Sequence, residues 1–123
     1  MNTKRRLAGA CACIALAVPA AAALARPAST HRATIKEHEY GLVPSKVSVS
    51  HGTVTFTLKN TGKARHALAI EHGSASHTDL KSKGVNPGKS ITFRVALHKG
   101  TFEIYCPIGG HKKLGMKGTL KVL

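Results

Sequence analysis

The sequence has 123 residues, a length that suggests one domain, and it carries a net charge of +14. Aromatic residues make up only 4% of the chain and no helical pattern concentrates the cations, so the charge does not indicate a nucleic-acid-binding protein. A strongly basic chain instead favours an anionic partner, such as an acidic protein, a cell-wall polymer or lipid head groups.

The first 25 residues have the pattern of a secretory signal peptide. A basic cluster at residues 4–6 precedes an alanine-rich apolar run that is short for a membrane span, and residues 23–25 fit a small-x-small cleavage site. We therefore predict cleavage after Ala25 and an extracytoplasmic protein, either periplasmic or secreted, with an uncleaved N-terminal anchor as the alternative. Cleavage would remove three cations and leave a net charge of +11.

Cysteine usage singles out one residue of the mature chain. Cys11 and Cys13 lie in the predicted signal peptide, so only Cys106 remains after cleavage and no internal disulfide can form. An unpaired thiol outside the cytoplasm is open to oxidation unless it is buried, bonded to metal or catalytic. Cys106 is therefore a candidate metal ligand or catalytic group, with a buried inert residue or a dimer-forming thiol as the alternatives.

The pattern of the mature chain predicts a flexible lead-in over residues 26–32 followed by one domain over residues 33–123. Alternation of apolar and polar residues predicts strands within 33–50, where Gly41 and Pro44 interrupt the pattern, and again over 53–60, 66–70, 90–97, 101–106 and 116–123. Residues 71–88 are polar and are expected to form a long loop. Short strands, close turns and no convincing helix indicate an all-β, antiparallel β-sandwich.

A thiol, an imidazole and a thioether follow one another at intervals of five residues, as Cys106, His111 and Met116. Strand alternation directs Cys106 and His66 toward the inside of the sandwich, each at the end of its strand. The glycines of the loop over 107–115 allow the positive φ values that a compact loop needs. We therefore expect the loop to fold back and bring the four side chains together.

One thiolate and two imidazoles, with a weak axial thioether, are the ligands expected of a mononuclear blue-copper centre. Zinc is the rival metal, although methionine is a poor zinc ligand and closed structural zinc sites have more thiolates. A cysteine nucleophile is the second rival. It needs a base and an orienting group, and the nearest acid, Glu103, should point away from Cys106 by alternation. We therefore expect no enzymatic activity.

Two long stretches resemble the cupredoxins, the family of small blue copper proteins, over about residues 33–123. They are "GLVPSKVSVSHGTVTFTLKNTGKARHALAI" and "NPGKSITF" followed by "KGTFEIYCPIGGHKKLGMKGTLKV". Four residues lie between Cys106 and His111 and again between His111 and Met116, and these spacings are most similar to those of auracyanin and rusticyanin. The resemblance implies a Greek-key sandwich with one copper ion, equatorial ligands His66, Cys106 and His111, and axial Met116. It also implies that Asn60 ties the ligand loops together.

The pattern and the resemblance together predict an exported, monomeric electron carrier that cycles one copper between Cu(II) and Cu(I). The resemblance implies that the ring edge of His111 is the electron port. Ile108 and Leu114, with the cations Lys112 and Lys113, are then the docking surface for an acidic redox protein. One alternative is a copper carrier that transfers the metal rather than the electron. Another is a metal-free β-sandwich that adheres to an anionic membrane or cell wall.

Overall fold

The computed structural model describes residues 30–71 and 80–123, and these residues form nine strands and no helix. The strands are β1 (Arg32–His38), β2 (Gly41–Val43), β3 (Lys46–Val49), β4 (Gly52–Asn60), β5 (Ala69–Glu71), β6 (Leu80–Lys81), β7 (Ser90–Leu97), β8 (Gly100–Tyr105) and β9 (Lys117–Val122). The predicted signal peptide and most of the predicted lead-in lie outside the described residues. Within them, no helix has the length and apolar character that a membrane span requires.

The strands form two sheets whose inner faces share one core, which confirms the predicted all-β sandwich. The first sheet has the order β2-β1-β4-β7 and the second has the order β3-β9-β8-β5-β6. Both sheets are mixed, because β1 pairs with β4 and β3 pairs with β9 in parallel. The expectation of purely antiparallel sheets is corrected here. The chain crosses between the sheets around Pro44, so β3 enters the second sheet in the same direction as β9.

Alternation in β4 and β8 explains the core. Val54, Phe56 and Leu58 of β4 are fully buried, while the threonines between them face outward. In β8, Phe102 and Ile104 point inward, and Cys106 continues that inner face beyond the end of the strand at 1% exposure. The alternation thus carries a thiol into the interior at one end of the sandwich.

The predicted strand over 66–70 is shorter in the structure, where β5 covers Ala69–Glu71. Residues 67–70 are all buried, so this stretch lacks the alternation of a half-exposed strand. His66 instead forms an isolated bridge with Val85, in which each backbone N–H donates to the other's carbonyl, at 3.1 and 2.7 Å. The bridge holds His66 at the same end of the sandwich as Cys106.

One carboxylate lies in the core without a partner. Glu37, on the inner face of β1, is fully buried, and neither of its carboxylate oxygens accepts a hydrogen bond. Burial penalises the charged form and raises the pKa of Glu37 from 4.5 to about 7. Because the unfolded chain loses this proton at lower pH than the folded chain, the protonated form of Glu37 contributes to the free energy of unfolding. This contribution is complete below about pH 4.5 and is lost as the pH rises toward 7.

We therefore predict that Glu37→Gln removes a pH-dependent penalty from the metal-free protein. One pKa unit corresponds to about 1.4 kcal/mol, so the free energy of unfolding of the variant relative to wild type should increase by roughly 2–3 kcal/mol between pH 4.5 and 7.5. Urea denaturation of both proteins across this range measures the difference. A difference that stays constant with pH would show that Glu37 does not titrate in the folded state.

Candidate metal centre

Three side chains with metal-binding atoms meet at one end of the sandwich. The ligating atoms of His66, Cys106 and His111 all lie within 4.8 Å of one another. The Cys106 sulfur is 3.9 Å from Nδ1 of His66 and 3.5 Å from Nδ1 of His111. The two imidazole rings lie edge to face, with centroids 5.1 Å apart. Both histidines therefore present the same ring nitrogen to one thiol.

These separations fit a shared metal ion. Sulfur and imidazole ligands bind a metal at about 2.0–2.3 Å, so two of them at trigonal or tetrahedral angles lie about 3.6–3.8 Å apart. The observed sulfur–nitrogen distances of 3.5 and 3.9 Å fall on either side of that interval. The donors are therefore arranged as one metal would require without a rearrangement of the backbone.

A closed loop connects Cys106 to Met116. The Cys106 N–H donates to the Met116 carbonyl at 3.0 Å, and the Met116 N–H donates to the His111 carbonyl at 3.1 Å. Gly109 and Gly110 have φ values of +50° and +77°, which let the chain reverse immediately before His111. The backbone thus places all three residues of the predicted ligand loop side by side.

Met116 is fully buried and belongs to the same apolar cluster as Cys106. A thioether is apolar and polarisable, so it can fill the core and act as a weak metal ligand from the same position. The structure thus brings Met116 to the three-residue cluster through the backbone of the loop. Its predicted axial role is compatible with this burial.

Asn60, which the resemblance places beside the ligand loops, joins three segments. Its side-chain amide donates to the carbonyls of Ala64 and Val85, at 2.7 and 2.8 Å, and its Oδ1 accepts the Gly62 N–H at 2.9 Å. Ala64 and Val85 belong to the two segments that pair at His66. Asn60 therefore fixes the backbone that carries one of the histidines.

Burial also controls the charge of the cluster. Desolvation raises the pKa of the Cys106 thiol and lowers the pKa of the His66 imidazole. Each shift favours the neutral form of its group, so these two donors are uncharged in the metal-free protein at neutral pH. A metal ion that binds here must displace the thiol proton and then supplies the positive charge that a buried thiolate needs.

Two neighbours of the cluster were not predicted from the sequence. Oε1 of Glu39 lies 3.2 Å from Nε2 of His66, and the ring of Tyr40 contacts His111 at a centroid distance of 5.1 Å. Both residues belong to the turn between β1 and β2, far along the chain from either histidine. The only sequence signal is that acids are scarce, with five in the chain.

The residues predicted for docking surround His111, although one of the cations is already paired. Leu114 is 59% exposed, Ile108 is half-buried and Lys113 is exposed. Lys112 Nζ lies 2.6 Å from Glu103 and 3.4 Å from Glu71, and it packs over the ring of Tyr105. As alternation predicted, Glu103 points away from Cys106.

Comparisons with known proteins agree with this geometry. The sequence model of the Cupredoxin-like domain matches residues 8–122. A structure of reduced auracyanin from Roseiflexus castenholzii is 24% identical, with a TM-score of 0.69 over 77% of this chain and 98% of that chain. Auracyanin A from Chloroflexus aurantiacus is 22% identical, with a TM-score of 0.62 over 75% of this chain and 99% of that chain.

An azurin from Methylomonas sp. strain J is 13% identical, with a TM-score of 0.63 over 75% of this chain and 97% of that chain. No curated protein sequence matches the chain. At these identities the structural neighbours establish the fold, and the match to the family model covers most of the sequence. The chain therefore belongs to the cupredoxin-like family, and its cluster of one thiol and two imidazoles is compatible with the single copper ion that this family binds.

Proposed function

We propose that this protein is an exported, monomeric electron carrier with one copper ion bound by His66, Cys106 and His111 and by Met116 as a weak axial ligand. The observation that carries the proposal is the convergence of one sulfur and two Nδ1 atoms within 4.8 Å at one end of a cupredoxin-like sandwich. The predicted signal peptide supports export. When bound, copper supplies a one-electron couple, Cu(II)/Cu(I).

The protein contributes a frame that holds its donors in one arrangement. Cys106 continues the inner face of a strand, His66 is held by a backbone bridge, and Met116 is tied to Cys106 by the loop hydrogen bond. Each of these three side chains is at least 99% buried. A frame that resists movement disfavours a change of ligand geometry between the two oxidation states, which favours fast electron transfer.

His111 is the most exposed of the four proposed ligands, at 9%, compared with 0–1% for the others. Its ring lies beside the exposed side chain of Tyr40, and the exposed Leu114 follows it in the same loop. An electron can therefore enter through the His111 ring while the apolar side chains around it exclude water from the encounter. We assign the docking surface to this end of the sandwich, around Ile108, Lys113 and Leu114.

The charges of the described residues favour an acidic partner. These residues include four acidic side chains, and none stands alone at the surface. Glu37 is buried, Glu39 contacts His66, and both Glu71 and Glu103 pair with Lys112. The remaining lysines and arginines therefore dominate the surface potential, which attracts acidic proteins and can also hold the protein near an anionic membrane or cell wall.

The competing function is a copper carrier that delivers the metal itself. Delivery requires an acceptor to reach the ligands, whereas these ligands are 0–9% exposed. Repeated voltammetric oxidation and reduction of the copper-loaded protein, followed by measurement of its copper content, tests the proposal. We expect reversible cycling with the copper retained in the presence of a chelator. Loss of copper at each reduction would favour delivery.

Replacement of the Cys106 thiolate is the simplest test of the proposed copper ligands. We predict that the Cu(II) protein has an intense thiolate-to-copper absorption band and that Cys106→Ser abolishes it, because a hydroxyl cannot provide this transition. The variant should remain folded, with a loss of about 1–3 kcal/mol for the buried hydroxyl. Absorption spectra of both proteins after addition of Cu(II) check the prediction, and circular dichroism controls for folding. A variant that keeps the band would remove Cys106 from the site.

Met116 should tune the metal centre rather than hold it. We predict that Met116→Gln retains copper and lowers the reduction potential, since an amide oxygen favours Cu(II) over Cu(I) more than a thioether does. Voltammetry of the two proteins measures the shift, and Met116→Leu, which removes the sulfur but keeps the volume, should raise the potential. Identical potentials in all three proteins would mean that Met116 only fills the core.

Electron transfer with an acidic redox protein should slow steeply with salt. The Debye length shrinks from about 30 Å at 0.01 M to about 10 Å at 0.1 M, which screens the long-range attraction. Because Lys112 is already paired, we choose Lys113→Glu/Lys117→Glu to weaken this dependence at the docking end. Lys99→Glu/Lys121→Glu makes the same charge change at the other end of β8 and β9. Stopped-flow rates that respond equally in both variants would contradict the proposed docking surface.

A further inference from the structure

The carboxylate of Glu39 contacts one of the proposed ligands from outside the metal site. Its Oε1 lies 3.2 Å from Nε2 of His66 and also accepts the backbone N–H groups of Lys63, at 2.7 Å, and Ala64. The Glu39 side chain is 28% exposed and that of His66 is fully buried. A single oxygen atom therefore joins the imidazole to the backbone just before it.

The neighbouring backbone is shaped to hold this carboxylate. Gly62 lies directly against it, and the nearest atoms that a Cβ at this position would meet are the two oxygens and the Cδ of the Glu39 carboxylate, all too close to be tolerated. The Gly62 N–H is itself bonded to Oδ1 of Asn60. Glu39 therefore accepts two backbone N–H groups and packs against a glycine that leaves room for its carboxylate. Its position relative to His66 is fixed by the backbone over residues 60–66.

This contact determines which nitrogen of His66 is available to a metal. An ionised carboxylate only accepts hydrogen bonds, so the Nε2 that faces Glu39 must carry the proton. A neutral imidazole carries one proton, which leaves Nδ1 unprotonated with its lone pair available, 3.9 Å from the Cys106 sulfur. Glu39 thus selects the tautomer that a metal at the cluster requires.

We propose that Glu39 is the positioning residue for His66, that it holds the imidazole in the Nε2–H tautomer, and that its charge stabilises Cu(II) relative to Cu(I). The inference rests on the proposed function in so far as it concerns copper. A carboxylate that accepts the distal N–H of a histidine ligand makes the imidazole more basic and fixes its orientation. A nearby negative charge also stabilises the more highly charged oxidation state.

His111 provides an internal comparison, because its ring contacts Tyr40 rather than a carboxylate. The two proposed histidine ligands therefore differ in how they are supported. His66 is fully buried and fixed by a charged hydrogen bond, whereas His111 is 9% exposed and packs against an aromatic ring. Removal of the Glu39 carboxylate should change the tautomer of His66 and leave that of His111 unchanged.

Four variants separate the hydrogen bond from the charge. Glu39→Gln keeps an acceptor oxygen and removes the charge, and Glu39→Ala removes both. Gly62→Ala keeps the carboxylate and displaces it, and alanine is compatible with the backbone there because Gly62 does not have a positive φ. Glu103→Gln is the control, since it removes the same charge from a carboxylate that contacts Lys112 and no proposed ligand.

The first measurement is the histidine ring tautomer of the metal-free proteins, from long-range proton–nitrogen NMR correlations. We expect wild type, Glu39→Gln and Glu103→Gln to show His66 as the Nε2–H tautomer. Glu39→Ala and Gly62→Ala should show a mixture of tautomers at His66 and an unchanged His111. An unchanged His66 in Glu39→Ala and Gly62→Ala would overturn the positioning role whether or not the protein binds copper.

The second measurement is the Cu(II) dissociation constant and the reduction potential of the loaded proteins. We expect Glu39→Ala to weaken Cu(II) binding about 10–100-fold, and Glu39→Gln to weaken it less while the potential rises above that of Glu103→Gln. Potentials of Glu39→Gln and Glu103→Gln that coincide would overturn the electrostatic role. A wild-type protein that binds no copper would instead contradict the proposed function, and the NMR result would still decide the positioning role.

Discussion

The hydrogen bond from the Cys106 N–H to the Met116 carbonyl closes the loop on which the candidate metal centre depends. It continues the pairing of β8 with β9, so the rigidity of the second sheet extends to the loop. Residues 107–115 form a glycine-containing loop, and this bond joins the two ends of the loop to each other at the edge of the sheet. With it, a buried thiol, a buried thioether and an imidazole are held at the end of one β-hairpin.

The other half of the site depends on a separate network, centred on Asn60. The turn after β4, the segment before His66 and the segment around Val85 all bond to this side chain, which belongs to the last residue of β4. The second histidine is therefore positioned by the junction between β4 and β5 rather than by a strand of its own. The site is formed where these two networks meet, and each can be perturbed without direct alteration of the other.

The parts of the site that follow from local sequence patterns, namely strand alternation and loop spacing, could be predicted from the sequence. Alternation through Phe102 and Ile104 placed Cys106 inside, and the spacing of the loop suggested that His111 and Met116 would join it. The burial of Glu37 and the contacts of Glu39 and Lys112 could not be predicted, because they depend on how the strands pair. The parallel register of β1 with β4 brings Glu37 opposite Asn60 and carries Glu39 to the segment before His66. The alternation within either strand does not determine which residues of the two strands lie opposite each other.

We propose that the fold holds one set of donors in place for both oxidation states of copper. X-ray absorption at the copper edge of the oxidised and reduced protein tests it most directly. We expect one short sulfur and two nitrogen neighbours in each state, with nearly unchanged distances between them. Loss of the sulfur or of a nitrogen on reduction, or a spectrum with only nitrogen and oxygen neighbours, would contradict it.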